Sequence, residues 1–381
     1  MSSTHNRYPW WVCRIWNGMD VPTLFGLLAR NRFAVTPSAG RIHIAVSAVI
    51  FSFMNSLLNA LQRLFYGRRI AEVKLEPPIF IIGHWRSGTT FLHELLTRDP
   101  DLAAPSTYEC FNPGHFHLSA RVFTRLDYLI PGTRPMDDMK MSWDNPQEDE
   151  FALLNMGVPS PYEELAFPNH RKRSAPFLRL DEFSPRQRAR WEATFTTFLK
   201  SVTLARIKKT GVAPRLVLKS PPHTARLAAL SEMFPDAKFI HIVRNPAEVF
   251  PSSVRTWLSL FEVQGCQTPR AQALSNGAPS IEDYVLSTFN ELYRDFPQAR
   301  SAISPSRFCE LRYEDLIADP LAQLERIYEH LELGRFKDAR PHFASHLAAV
   351  RNYRPSRQQM APDEQSEVRR RWAPFFETYG Y

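Results

Sequence analysis

The chain has 381 residues, enough for one large α/β domain or two small ones, and its 44% hydrophobic and 12% aromatic content is that of a globular protein with a full core. A formal net charge of +8 suits an anionic cofactor, an acidic substrate or an anionic membrane surface. There is no dense Lys/Arg block with interleaved aromatics, which argues against nucleic acid as a partner, and residues 1–5 lack the apolar core of a signal peptide.

Residues 1–75 read as a mainly helical extension, and residues 76–381 as the main domain. The span 42–62 carries no Asp, Glu, Lys or Arg and is long enough to cross a bilayer. Its periodicity is amphipathic instead. Val46, Val49, Ile50, Phe53, Leu57, Leu61 and Leu64 share one face, and Ser52, Asn55, Ser56 and Asn59 share another. Two readings fit. The apolar face packs on the domain core, or residues 42–69 lie on a membrane, with Arg63, Arg68 and Arg69 meeting anionic lipid.

The next segment carries the strongest signal. The apolar run from Pro78 to Ile82 stops at Gly83, a short loop follows, and Thr89 and Thr90 open a helical pattern with Leu92, Leu95 and Leu96 on one side. This is a strand, a phosphate-binding loop and a helix. The spacing Gly83-x-x-x-x-Gly88 matches a nucleoside-triphosphate loop, yet Thr89 stands where that loop has its lysine. Such a loop still holds an anion through backbone N–H groups and the helix dipole, which points to a phosphate-type ligand other than an ordinary ATP substrate.

Further strands are expected at 215–219, 238–243 and 308–313, in addition to 79–83. Helical patterns follow at 89–97, 224–233, 246–257 and 320–331. The alternation predicts a parallel sheet covered by helices on both faces, with ligands at the carboxyl ends of the strands. Gly83, Lys219 and Arg244 all fall at such ends. The stretch 136–170 is acidic and then rich in Pro and aromatics, and reads as an insertion over the acceptor site. Residues 263–280 read as a loop. The tail 363–381, with Trp372, Phe375, Phe376 and Tyr379, reads as a helix docked on the core. Cys13, Cys110, Cys266 and Cys309 form no CxxC or zinc pattern and read as free thiols of a reducing compartment.

Three segments carry a family resemblance. Arg86-Ser87-Gly88-Thr89-Thr90 resembles the 5′-phosphosulfate loop of sulfotransferases that use 3′-phosphoadenosine 5′-phosphosulfate (PAPS). The segment from Phe239 to Ser252 resembles that family's 3′-phosphate site, with Arg244 at a strand end and Ser252 eight positions later. Leu311-Arg312-Tyr313-Glu314-Asp315-Leu316 is similar to the tyrosine-bearing segment near the adenine. The resemblance runs from about Pro78 to Leu333. It implies an α/β, P-loop NTPase-like sulfotransferase fold. It also implies transfer of a sulfuryl group from PAPS to a hydroxyl or amine, leaving 3′,5′-adenosine bisphosphate, with no metal. The cofactor would be held by Arg86, Ser87, Gly88, Thr89, Thr90, Phe91, Arg244, Ser252 and Tyr313. The acceptor would be a small molecule, glycan or lipid, and the location cytoplasmic, peripheral at the inner face of a membrane if 42–69 binds lipid.

Arg86 and Lys219 are the expected catalytic cations, Lys219 resembling the family lysine that stabilises the leaving phosphate. The base is open. Cytosolic family members place a histidine two residues after that lysine, where Pro221 stands here, and His223 follows. Other members use a glutamate about twenty residues after the loop, which selects Glu109. The run Glu148-Asp149-Glu150 offers a second candidate, or else a solvated first turn of a helix. His84 and His93 read as structural. The competing readings are a nucleotide kinase or other phosphotransferase, which the missing lysine and the missing Walker-B strand disfavour, and a non-catalytic, membrane-docked nucleotide-binding protein.

Overall fold

The computed structural model describes residues 9, 11–133, 140–270, 279–350 and 360–381. Parts of the expected insertion (136–139) and of the expected loop (271–278) lie outside the described residues. Five parallel strands form the sheet: β1 (Ile79–Ile82), β2 (Leu102–Ala103), β3 (Arg215–Lys219), β4 (Lys238–Val243) and β5 (Phe308–Arg312), in the order β2-β3-β1-β4-β5. Ile79 pairs with Val217 on one side and Lys238 on the other, and Val243 pairs with Arg312. β1 is central; the chain adds β2 and β3 on one side, with β3 between β2 and β1, and then β4 and β5 on the other. That reversal opens a crevice at the carboxyl ends of β1, β3 and β4, the place where open α/β sheets bind ligands.

Alternation along the strands divides the core. Phe80, Ile82, Leu216, Leu218 and Phe239 face a layer with Trp191, Phe195, Phe198 and Val202 of the helix Pro185–Thr210. Ile79, Ile81, Val217, Ile240 and Ile242 face Leu92, Leu95 and Leu96 of the helix Thr89–Leu96 and Leu324, Ile327 and Leu331 of Pro320–Leu331. Both faces are buried, so the strands are apolar throughout, as a parallel sheet requires. The tail forms two helices, Pro362–Arg371 and Ala373–Tyr379. It docks by stacking Trp372 on Phe289 at 3.9 Å and donating the Trp372 indole N–H to the Leu286 carbonyl.

The helix Ala39–Glu72 reverses the packing expectation. Arg41, Ser52, Asn55 and Gln62 are buried, while Ile42, Val46, Ile50, Phe53, Leu57 and Leu64 are exposed. The polar face is the glue. Asn55 Nδ2 donates to the carbonyls of Asn17 and Met19 at 2.7 and 2.9 Å, and Gln62 Oε1 accepts from the His117 N–H at 2.8 Å. Arg41 donates to the carbonyls of Glu262 and Gly265 at 2.6 and 2.9 Å. Buried loop carbonyls require partners, and this helix supplies them.

Candidate active site

The phosphate loop is shaped by two glycines. Gly83 has φ +147°, and a Cβ there would meet the Ile242 carbonyl oxygen at 2.5 Å. Gly88, at φ +102°, caps the helix Thr89–Leu96, and a Cβ there would come within 2.3 Å of the Tyr313 ring. Only glycine fits either position. Arg86 takes a left-handed φ of +69° between them, a strained conformation for a side chain of its size. Ser87 Oγ turns back to donate to the His84 carbonyl at 2.7 Å. The N-terminus of the helix then opens the crevice at Thr89 and Thr90. Phe91 is partly buried against the sheet layer.

The second and third motifs converge on this loop. Arg86 Nε donates to Ser252 Oγ at 2.9 Å, and an Arg244 guanidinium N–H donates to the Arg86 carbonyl at 3.0 Å. Arg244 lies 4.4 Å over the Tyr313 ring and is paired with Glu248 at 2.5 Å. Burial raises the Tyr313 phenol above its usual range, against the pull of Arg244. Arg86, Gly88, Arg244, Ser252 and Tyr313 therefore form one contact network, although they span three strand ends.

Lys219, the last residue of β3, is buried. Its Nζ donates to Glu148 Oε1 at 2.7 Å and to Thr90 Oγ1 at 3.3 Å. The other Glu148 oxygen accepts a short hydrogen bond from the Tyr162 hydroxyl, which in turn accepts from the Trp85 indole N–H at 2.8 Å. Burial first, then the Glu148 charge, holds the Tyr162 phenol far above its usual range, so it stays a donor. Glu148 keeps 14% side-chain exposure.

The run Glu148-Asp149-Glu150 is thus not a solvated helix start. Asp149 and Glu150 are wholly buried at the start of the helix Asp149–Asn155. Asp149 Oδ2 lies 2.5 Å from His223 Nε2, and Ser220 Oγ donates to its other oxygen at 3.2 Å. Burial alone would raise the Asp149 carboxyl, but the contact with His223 leaves it below its usual value. Glu150 pairs with Arg226 at 2.5 and 3.2 Å. These two pairs clamp the segment bearing Glu148 to the turn after β3. His223 is enclosed with Phe80 and Phe195, which makes it part of this clamp. His84 and His93 are buried. Desolvation lowers them to about 4 and about 3, and each bonds a backbone carbonyl.

Glu109 is placed differently. It closes a capping box with Ser106 at the start of the helix Thr107–Phe111, accepting from the Ser106 N–H at 2.8 Å. Arg206 grips both carboxylate oxygens at 2.6 and 2.7 Å. Three donors, two of them from the Arg206 fork, occupy its carboxylate. The aromatics of the stretch 136–170 divide as well. Phe151 stacks on Tyr162 at 4.9 Å and meets Phe111 at 5.7 Å near Glu148. Trp143 packs on Tyr108, and Phe167 is fully buried, so both belong to the core.

Residues 77–338 match a family model described as the sulfotransferase family. The chain belongs to the sulfotransferase family. It is 40% identical over 381 residues to the omega-hydroxy-beta-dihydromenaquinone-9 sulfotransferase Stf3 of Mycobacterium bovis, a match covering all of this chain and 94% of that protein. The same figures hold for Stf3 of Mycobacterium tuberculosis strain CDC 1551 / Oshkosh. Among solved structures, sulfotransferase STF1 of Mycobacterium tuberculosis H37Rv superposes with a TM-score of 0.63 at 22% identity, covering 96% of this chain and 94% of that one. STF9 of Mycobacterium avium gives 0.65 at 17%, covering 95% and 96%. These structures share the fold: a parallel sheet flanked by helices, of the P-loop-like sulfotransferase type. The protein is a transferase that moves a sulfuryl group from a sulfate donor to an acceptor.

Proposed function

We propose that the donor is PAPS, that Lys219 and Glu148 are the catalytic pair, and that the acceptor is a hydroxylated quinone-type lipid. The 2.7 Å contact between Lys219 and Glu148, beside the phosphate loop, carries this reading. The residue types at the loop fit such a donor. Two guanidinium groups, a serine hydroxyl and an aromatic ring lie in one network at the sheet edge, which suits a nucleotide bearing a second phosphate. When bound, PAPS supplies an activated sulfuryl group and leaves as 3′,5′-adenosine bisphosphate.

The chain's own groups do the rest. The N–H groups of residues 87–90 and the helix N-terminus hold the phosphosulfate anion, with Thr90 at the edge of that site. Arg244 and Ser252 bind the 3′-phosphate, with Tyr313 beside them. Lys219 Nζ is a positive charge fixed in a nearly dry site, where it opposes negative charge far more strongly than in water. An anionic ligand at the loop competes with Glu148 for Lys219. The Glu148 carboxylate, freed of that bond and still oriented by Tyr162, takes the proton of the acceptor hydroxyl. Glu109 is not the base in this reading, because Arg206 holds it.

The acceptor class rests on full-length similarity to proteins named for an omega-hydroxy-dihydromenaquinone, and on the aromatic wall of Phe111, Phe151 and Tyr162 beside Glu148. The test is incubation with PAPS, adenosine 5′-phosphosulfate or ATP and a panel of hydroxylated quinones, sugars and peptides. Release of 3′,5′-adenosine bisphosphate with gain of one SO₃ on a quinone hydroxyl is expected from PAPS. Transfer from ATP, or sulfation of sugars in preference to quinones, would contradict the assignment.

A further inference from the structure

The helix Ala39–Glu72 is built inside out for a soluble protein. Amphipathic helices bury the apolar stripe and expose the polar one. Here Ser52, Asn55 and Gln62 are inside, Asn55 and Gln62 bonded to the backbone of other segments and Ser52 to the Val49 carbonyl of its own helix, whereas Ile50, Phe53, Leu57 and Leu64 stand 66%, 62%, 62% and 75% exposed. With Ile42 and Val46 they recur at spacings of three, four and, from Leu57 to Leu64, seven, forming one apolar stripe along the helix. Scattered exposed leucines need no explanation, but a continuous stripe does.

Charge identifies what covers it. Within Ala39–Glu72 the one acid is Glu72, which pairs with Arg68 at 2.9 Å, and the last turns also carry exposed Arg63 and Arg69. Lys208 of the neighbouring helix joins them over the Tyr66 ring at 4.6 Å. An apolar stripe ending in a cluster of cations fits a bilayer with anionic headgroups: acyl chains take the stripe, phosphates take the cations. The helix does not span. Crossing would strip Asn55 and Gln62 of their partners and place them in hydrocarbon, which is costly.

We infer that this protein docks flat on an anionic membrane surface through the exposed stripe of Ala39–Glu72, with Arg63, Arg69 and Lys208 on lipid phosphates. This inference rests on the helix and the adjoining Lys208 and is independent of donor or acceptor chemistry.

The test is flotation of the full chain with phosphatidylcholine vesicles, with and without phosphatidylglycerol, beside sedimentation to fix its oligomeric state. Binding at least tenfold stronger to the anionic vesicles and weakened by salt is expected. Ile50→Glu with Leu57→Glu should abolish it, and Arg63→Glu with Arg69→Glu should reduce it at least tenfold. Unfolding curves report whether the glutamate variants are intact. If they are not, Ile50→Ser with Leu57→Ser serves with the same expected loss. Absence of vesicle binding, binding insensitive to these substitutions, or a dimer that Phe53→Glu dissociates without any vesicle binding would each overturn the inference.

Discussion

Lys219 and Glu148 meet at 2.7 Å although they sit on separate elements 71 positions apart, and Thr90 of the phosphate loop completes the contact. A lysine in that position opposes charge that grows as the donor's bridging oxygen leaves. Lys219→Ala should therefore lower kcat by about 10²–10³-fold with little change in the PAPS KM. Steady-state kinetics over PAPS concentration decide it. A normal kcat with a raised KM would place Lys219 in ground-state binding.

Arg244 should carry selectivity for the 3′-phosphate. Arg244→Ala should weaken 3′,5′-adenosine bisphosphate by about 2–3 kcal/mol, the size of charge-assisted hydrogen bonds lost. Adenosine 5′-phosphosulfate should be little affected. Glu248 now neutralises Arg244 at 2.5 Å, so Glu248→Gln should tighten the bisphosphate. Titration calorimetry with both ligands gives the comparison, and equal losses for both would remove Arg244 from this role.

Glu109 should matter for stability and not for turnover. Its carboxylate is nearly buried and caps a helix while pairing with Arg206. Glu109→Gln leaves that guanidinium without its counter-ion, which costs about 3 kcal/mol for a buried pair. Denaturant unfolding should show this loss, with kcat per folded enzyme within a few fold of wild type. Full stability with lost turnover is the opposite result.

Glu164 gives stability a pH dependence. Burial raises its carboxyl from 4.5 to about 8, and its partners include the Lys172 N–H at 2.8 Å. A carboxyl raised in the folded state contributes its stability below the unfolded value and loses it as pH rises through the folded one. The wild type should lose stability between about pH 4.5 and pH 8 relative to Glu164→Gln, which has no proton to release there. Melting temperatures at several pH values test this, and parallel curves for the two proteins would refute it.

The phosphate loop was legible because it is local. Gly83 and Gly88 announce the turn, the apolar run before them the strand, and Thr89 and Thr90 the helix start. Arg244, Ser252 and Tyr313 were legible by resemblance, and the strand ends then bring them to one edge. β2 was missed because two residues, Leu102–Ala103, carry no periodicity. For Ala39–Glu72 the sequence defines two faces but not which one points inward. That depends on the backbone carbonyls of Asn17, Met19 and Glu262, distant in sequence. Glu148 was one of three adjacent acids with no local mark to separate it. Only the buried partners His223 and Arg226 show that Asp149 and Glu150 are structural, leaving Glu148 facing Lys219.

The proton acceptor is the central assignment, and the rate of sulfuryl transfer in Glu148→Gln tests it most directly. Single-turnover measurement with PAPS and a hydroxylated quinone, beside Glu109→Gln and wild type, separates chemistry from product release. Glu148→Gln should bind 3′,5′-adenosine bisphosphate normally and transfer at least about 10²-fold more slowly, while Glu109→Gln keeps its rate. Wild-type transfer by Glu148→Gln with an inactive, folded Glu109→Gln would contradict the assignment and return the base to the helix Thr107–Phe111.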